Sequence, residues 1–306
     1  MNATLIDGKA IARSIRNRVQ HEVERLSGPP LHLVSLGLGD DLVSAVYMRN
    51  QRKACESAGI QFTNEQLPAD AHEVSVIERI KDLNDDPGVT GIIVQRPLRR
   101  DMNPRRIQAK VHPDKDVEGL NPANIGAIVY GEPKLVPCTA LAAIKCAQST
   151  GIELRGKNVA VVGHSEIVGK PISFMMLNYF ATVTICHIAT QDLAAHTRDA
   201  DVMFVAVGKP ALIRGEMIKE GAVVVDIGIA QAPTLDAHGK PVLDEQGRPR
   251  YHLAGDVHLE SVGQRAGYLT PVPGGVGPVT VAMLLHNTLI AAKLQRGVPV
   301  GAPDAD

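Results

Sequence analysis

The sequence predicts an α/β fold in two domains, each built on a mostly parallel sheet covered by helices, and three observations predict it. Short apolar runs rich in Val and Ile alternate with longer stretches of helical period. The chain has 306 residues, about twice the roughly 150 that one domain commonly spans. The alternation pauses at a loop over residues 112–126 and then restarts, as two separately wound halves read in sequence. Two packed lobes imply a cleft between them.

From Asp7 to about Leu26 the apolar residues recur at helical spacing, and Pro29 and Pro30 stop that helix. LHLVSLGLG (31–39) reads as a strand and Gly39-Asp40-Asp41 as a turn. A helix follows from about Leu42 to Ala58, then a strand near Ile60, a helix from about Glu73 to Asn84 and the apolar strand GIIVQ (91–95). Beyond the loop come four strands, NVAVVG (158–163), TVTICHI (182–188), DVMFVAVG (201–208) and AVVVDIGIA (222–230). Between Gln231 and His252 the chain turns polar and rich in Gly and Pro, which predicts a surface hairpin or excursion. PVTVAMLLHNTLIAAKLQR (278–296) predicts a long amphipathic helix that packs back on the first domain.

Composition narrows the function classes. A formal net charge of -1 leaves no broad electrostatic footprint for nucleic acid or an anionic membrane, and a small molecule is the expected partner. Trp is absent and aromatics are 3%, too few for base-stacking platforms or aromatic cages. Cys55, Cys138, Cys146 and Cys186 form no CxxC pair, which suits free thiols in a reducing compartment; Cys138 reads as a small buried hydrophobe. No metal site is expected. MNATLIDGKAIARSIRNRV carries charges within its first nine residues and no apolar core, unlike a secretory signal. No apolar run approaches the roughly 20 residues of a membrane span, so a cytoplasmic protein is expected.

The strand NVAVVG runs directly into Gly163-His164-Ser165-Glu166-Ile167-Val168-Gly169-Lys170-Pro171 and an apolar helix. A Rossmann unit seats a cofactor pyrophosphate on the free N–H groups of such a turn. Ser165 stands where a GxGxxG pattern has its second glycine, so the same segment also reads as an ordinary tight βα turn. The next strand ends in His187-Ile188-Ala189-Thr190 without the acidic residue that grips the ribose of NAD. That leans towards NADP, with NAD possible, and leaves His164, Ser165 and Thr190 as the local candidates for a 2′-phosphate.

Several segments in order, GDDLVSAVY (39–47), GIIVQ and RPL (91–98), HPDKDVEGLNPANIG (112–126), PCT (137–139), VVGHSEIVGKP (161–171), GAVVVDIGI (221–229), GDV (255–257) and AGYLTPVPGGVGPVTVAMLLHNTL (266–289), resemble one family. It is the bifunctional methylenetetrahydrofolate dehydrogenase/methenyltetrahydrofolate cyclohydrolase, and the run PVPGGVGPVT (271–280) is its most specific part. The resemblance implies an N-terminal folate (catalytic) domain over 1–139 completed by a C-terminal helix over 279–306. It further implies a Rossmann-like NAD(P)-binding domain over 140–278, a single cleft and a homodimer. In that cleft a hydride passes from methylene-tetrahydrofolate to the nicotinamide, and water opens the methenyl cation to formyl-tetrahydrofolate. Positioning does most of the work, because the cofactor carries the hydride and the cation is already electrophilic.

By the same resemblance Tyr47 packs against the folate ring system and Gln95 supports the catalytic lysine position. Ser44, Glu118, Pro273, Gly274 and Gly275 join Tyr47 at the substrate. Gly163, His164, Ser165, Ile167, Val168, Thr190, Gly277 and Thr280 line the cofactor. Glycines in the 274–277 segment let the main chain approach ligands, and Pro278 suits the first turn of a helix.

Four departures from the family surround one site. The catalytic lysine position is Gln51, and an amide neither donates a proton as an acid nor accepts one as a base near neutral pH. At about 100° per residue, Arg49 and Lys53 lie roughly 200° and 240° around the helix from Tyr47, whereas position 51 lies about 40° away, so neither cation replaces it. Glu118 stands where the family has an aspartate, one methylene shorter. Arg96 and Arg99 replace an apolar residue and a proline. Ala140 and Ala143 replace a proline and a glycine, which favours a continuous helix. The expected activity is methylene-tetrahydrofolate oxidation with an impaired or lost cyclohydrolase step. A fully bifunctional enzyme and a catalytically silent folate-binding or regulatory paralogue are the alternatives.

Overall fold

The computed structural model describes residues 2–39, 42–234, 236, 240–244 and 246–301, and of residues 42–47 the backbone alone. In chain order the elements are β1 (Thr4–Leu5), α1 (Gly8–Arg25), β2 (His32–Leu38), α2 (Leu42–Ser57), β3 (Gln61–Leu67), α3 (Glu73–Asp85) and β4 (Gly91–Val94). Then follow α4 (Pro104–Gln108), α5 (Pro122–Val129), α6 (Cys138–Gln148), β5 (Asn158–Val162), α7 (Gly169–Asn178), β6 (Thr182–Cys186), α8 (Leu193–Thr197) and β7 (Val202–Val205). The chain closes with β8 (Val223–Asp226), β9 (Ala230–Pro233), β10 (Tyr251–Ala254), α9 (Leu259–Gly263), β11 (Tyr268–Leu269) and α10 (Val276–Gln295).

Two compact units result. One comprises residues 12–141 and 280–306, the other 1–11 and 142–279. The first holds the parallel sheet β3-β2-β4. Its core joins Val34, Leu36, Ile92 and Val94 to Val76, Ile80 and Leu83 of α3. The second holds a six-stranded sheet in the order β1-β11-β8-β7-β5-β6, parallel throughout. Its strands β7 and β8 are buried along their whole length, which is why they read as unbroken apolar runs. The polar stretch after β8 is framed by β9 and β10, an antiparallel pair as the sequence predicts.

Three expectations need correction. The first eleven residues fall with the second unit, because Thr4 and Leu5 pair with Tyr268 and Leu269 at the end of the six-stranded sheet. α10 is not amphipathic: every residue from Ala282 to Ala292 is buried, so apolar side chains are needed all around it. For the same reason α10 is, by length and composition, apolar enough to cross a membrane, with 72% of its most apolar window buried inside the protein. Core burial accounts for that composition. The short helices α4 and α5 are absent from the sequence reading, although each carries a start signal. Asn103 and Asn121 cap them by accepting from the N–H groups of Arg105 and Ala123, and a proline occupies the first turn of each.

Candidate active site

In the first unit β2, β4 and α2 bring three polar side chains into register. Ser35 lies in the middle of β2 and is fully buried, Gln95 follows β4 directly, and Gln51 on α2 is 2% exposed. Gln95 Nε2 donates to Ser35 Oγ at 2.6 Å and to Gln51 Oε1 at 3.3 Å. With its oxygen accepting from Gln95, Gln51 has its amide orientation fixed, and its Nε2 donors are what it offers to a ligand. Arg49 and Lys53 are exposed, as the helical geometry predicts. Beside Gln95 a cavity of about 100 Å³ is lined by Gly37, Met48, Gln66, Arg96 and Pro97. Ser44 and Tyr47 lie on α2, but their side chains are outside the described residues. Arg99 is engaged elsewhere, forming a bidentate pair with Asp101.

Glu118 is set on a loop that has little freedom. Lys115 donates its ammonium to the carbonyls of Leu83, Asn84 and Asp86 at the end of α3, a cation placed where a helix C-terminus favours one. Asp116, fully buried, accepts from Gln108 Nε2, the Asn121 N–H and Asn124 Nδ2. Asn287 on α10 donates to the carbonyls of Val117 and Val136, and the Cys138 thiol also donates to Val117. Burial pushes that thiol well above its ordinary range, which leaves Cys138 a packing residue rather than a nucleophile. Gly119 has φ +69°, and a Cβ there would meet the Val136 carbonyl carbon at 2.3 Å.

On this mount Glu118 is half-buried, with Oε2 buried and lacking a hydrogen-bond partner. Burial first, and the neighbouring Asp116 charge second, push its carboxyl from an ordinary 4.5 up to about 7, with Arg96 pulling the other way. The folded protein therefore holds a proton that the unfolded chain has released between these values. The stabilisation is complete below about pH 4.5 and is lost as pH rises through about 7. Denaturant unfolding at pH 5 and pH 8 checks this: Glu118→Gln should lose on the order of 2 kcal/mol less stability over that interval than the parent. Identical pH dependence in the two proteins would remove the buried, protonated carboxyl.

In the second unit β5 leads directly into Gly163, whose φ is +116° and whose added Cβ would lie 2.2 Å from the Ala206 carbonyl oxygen. At Gly169, which opens α7, a Cβ would lie 1.9 Å from the Gly163 oxygen. Both positions require glycine, and the turn between them presents its backbone at a helix N-terminus. Ser165 Oγ accepts from the Val168 N–H at 3.1 Å, and Thr190 Oγ1 accepts from the His187 N–H at 2.8 Å.

A cavity of about 600 Å³ opens here, walled by Gly163, His164, Ser165, His187, Thr190 and Lys209 among others. The His164 and His187 rings stand 5.2 Å apart. Ile167 and Val168 are half-buried in the turn and do not line this cavity. His187 and Lys209 are not among the cofactor residues expected from the sequence. Lys209 follows β7, the parallel neighbour of β5, and ligands of such sheets bind beyond the carboxyl ends of the strands.

The glycine run before α10 is compact. Gly274 has φ +110°, Gly275 donates to the Pro271 carbonyl at 2.8 Å, and a Cβ on Gly8 would come within 1.8 Å of the Gly275 oxygen. Pro273 and Gly277 are exposed beside it, and Thr280 is half-buried one turn into α10. Among the described residues no group of three or more His, Cys, Asp or Glu is placed to hold a metal ion.

Comparison with known proteins agrees with both halves. Residues 6–118 match the model of the tetrahydrofolate dehydrogenase/cyclohydrolase catalytic domain, and residues 137–296 match that of the NAD(P)-binding domain of the same family. The chain is 45% identical over 295 residues to bifunctional protein FolD 2 of Mesorhizobium japonicum, covering 96% of this chain and 92% of that protein. It is 44% identical over 295 residues to bifunctional protein FolD of Moorella thermoacetica, covering 96% and 100%. Among solved structures, FolD from Campylobacter jejuni superposes with a TM-score of 0.86 at 38% identity, over 95% of this chain and 99% of that one. The Trypanosoma brucei methylenetetrahydrofolate dehydrogenase-cyclohydrolase, solved with NADP and an inhibitor, gives 0.85 at 37%, over 95% and 98%. The chain, with its two α/β domains, belongs to the tetrahydrofolate dehydrogenase/cyclohydrolase family.

Proposed function

We propose that this chain oxidises methylene-tetrahydrofolate to methenyl-tetrahydrofolate with NADP as hydride acceptor, and that its hydration of the methenyl cation is impaired or lost. One observation supports the second half: Gln51, which the resemblance sets at the family's lysine position, is a buried amide with its oxygen bonded to Gln95. An amide orients a ligand but cannot carry the proton that water must lose on attacking the cation. Hydride transfer needs no such carrier, so oxidation survives the change.

Tyr47, Ser44, Glu118, Pro273, Gly274 and Gly275 are assigned to the folate, with Gln51 and Gln95 orienting its reacting end. The glycine turn fits a dinucleotide, since Gly163 and Gly169, where any Cβ would strike neighbouring backbone, let the chain fold tightly enough to present free N–H groups at the start of α7. When bound, the nicotinamide supplies the hydride acceptor. His164, Ser165 and Lys209 supply polar and cationic groups suited to a 2′-phosphate, and residues 187–190 at the end of β6 include no acidic side chain to repel it. Ile167, Val168, Thr190, Gly277 and Thr280 complete the assignment by shaping the backbone around that ligand. Family resemblance supports a homodimer, and four free, buried cysteines suit a reducing cytoplasm.

The fully bifunctional reading keeps one supporting observation, the carboxyl of Glu118, which holds its proton up to about pH 7 and so can exchange one near neutrality. A time course with methylene-tetrahydrofolate and either NAD or NADP, following reduced dinucleotide and methenyl-folate separately, decides between them. Reduced NADP with accumulating methenyl-folate is the expected result. Reduced NADP without methenyl-folate selects the bifunctional enzyme, and neither signal with either dinucleotide refutes the dehydrogenase.

A further inference from the structure

Two carboxylates, Asp226 and Asp256, are buried in the second unit at 3% and 0% exposure, and among the described residues neither forms an ion pair. Backbone N–H groups hold them instead. A buried carboxylate without a cation is costly, and a pair of them side by side is not what stability alone would retain. Their connections show what they do. Asp226, the last residue of β8, accepts at Oδ1 from the N–H groups of Gly228 and Asp256, each at 3.0 Å, and at Oδ2 from Val257 at 2.9 Å. It thus clamps the segment that carries Asp256.

Asp256 in turn accepts at Oδ2 from the N–H groups of Val207 at 2.6 Å and Gly208 at 3.0 Å. Its Oδ1 is buried and has no partner. Val207 and Lys209 line the 600 Å³ cavity beside the glycine turn, so the loop that Asp256 grips is a wall of that cavity. Both carboxylates sit against bare backbone. A Cβ on Gly255 would lie 1.9 Å from Asp226 Oδ2, and one on Gly228 would lie 2.2 Å from Asp256 Oδ2. Nothing in the sequence pattern links positions 207, 226 and 256.

We propose that Asp256, clamped by Asp226, is a positioning residue for the dinucleotide site, fixing the loop after β7 as one wall of the cavity. The proposal rests on the dinucleotide reading above. Two donors converge on a single oxygen, for which an anion is the stronger acceptor, so an isosteric amide should keep the geometry and weaken the grip. The test measures KM for NADP and for methylene-tetrahydrofolate separately, with kcat and the calorimetric Kd for NADP, in the parent, Asp256→Asn and Asp256→Ala. Asp256→Ala should raise KM and Kd for NADP by about tenfold or more while moving KM for the folate by less than about twofold. Asp256→Asn should fall between it and the parent.

Equal rises in both KM values, or a lower melting temperature with KM unchanged, overturn the proposal, because a merely structural residue behaves that way. If Asp256→Ala does not fold, Asp256→Asn decides: NADP affinity equal to the parent's overturns the proposal. A parent that binds neither dinucleotide refutes the functional reading, and this proposal with it. A parent that binds NADP beside variants that bind it equally well refutes this proposal alone.

Discussion

Gln51→Lys is expected to raise the rate of methenyl-tetrahydrofolate hydrolysis at neutral pH by about 10² to 10⁴, the range that a positioned acid–base group contributes. The oxidation rate should move far less. The site is prepared for the change. Gln95 now spends its amide nitrogen on Gln51 Oε1 and Ser35 Oγ. Facing an ammonium, it can turn its amide over and present its oxygen instead, because the Ser35 hydroxyl serves equally as donor or acceptor. Burial at position 51, where Gln51 is 2% exposed, would lower the pKa of a lysine towards neutrality, where a proton carrier is most effective. The measurement is loss of methenyl absorbance above the buffer-catalysed rate, in parent and variant. A parent that already hydrolyses methenyl-folate rapidly, or a variant no faster than the parent, refutes Gln51 as the cause of an impaired step.

Parts of this arrangement are legible in the sequence, and the divide follows physical range. Strands such as β5, β7 and β8 are visible because burial on both faces imposes a local apolar run that no other element of that length shares. The glycine turn is visible because Gly169 answers to Gly163, a few residues earlier, although Gly163 itself answers to the distant Ala206 carbonyl. β1 is not: a two-residue strand has no period, and its partner lies more than 260 residues away in the chain. α10 keeps helical length but loses amphipathic pattern, since it is covered on all sides.

The same holds within the site. Position 51 is found by family resemblance, but its bond to Gln95 depends on α2 and β4 meeting in space. Lys209 has no local pattern to mark it, and becomes visible only when β7 is seen beside β5. The Asp226 and Asp256 pair is the extreme case: each is a lone acid in an apolar context, and their joint action on residues 207 and 208 exists only in three dimensions.

Gly169→Ala should weaken NADP binding by about 100-fold or more. The added methyl would lie 1.9 Å from the Gly163 carbonyl oxygen, 2.6 Å from its carbon and 3.0 Å from His164 Cα. All three are backbone atoms, so no side chain can swing aside and the turn itself must open. Opening it moves the N-terminal N–H groups of α7 away from the place where a pyrophosphate would sit, and those hydrogen bonds to an anion are strong ones whose value depends on alignment. Overpacking of this kind also costs about 1–3 kcal/mol of stability, so affinity is to be measured by calorimetry below the melting transition of the variant. Gly126→Ala provides the control. Gly126 lies within α5, where an added methyl would meet nothing within 4 Å, and the variant should gain about 0.5–1 kcal/mol from the better helix former, with NADP affinity unchanged. If Gly169→Ala binds NADP as tightly as the control does, the glycine turn is not the seat of the pyrophosphate.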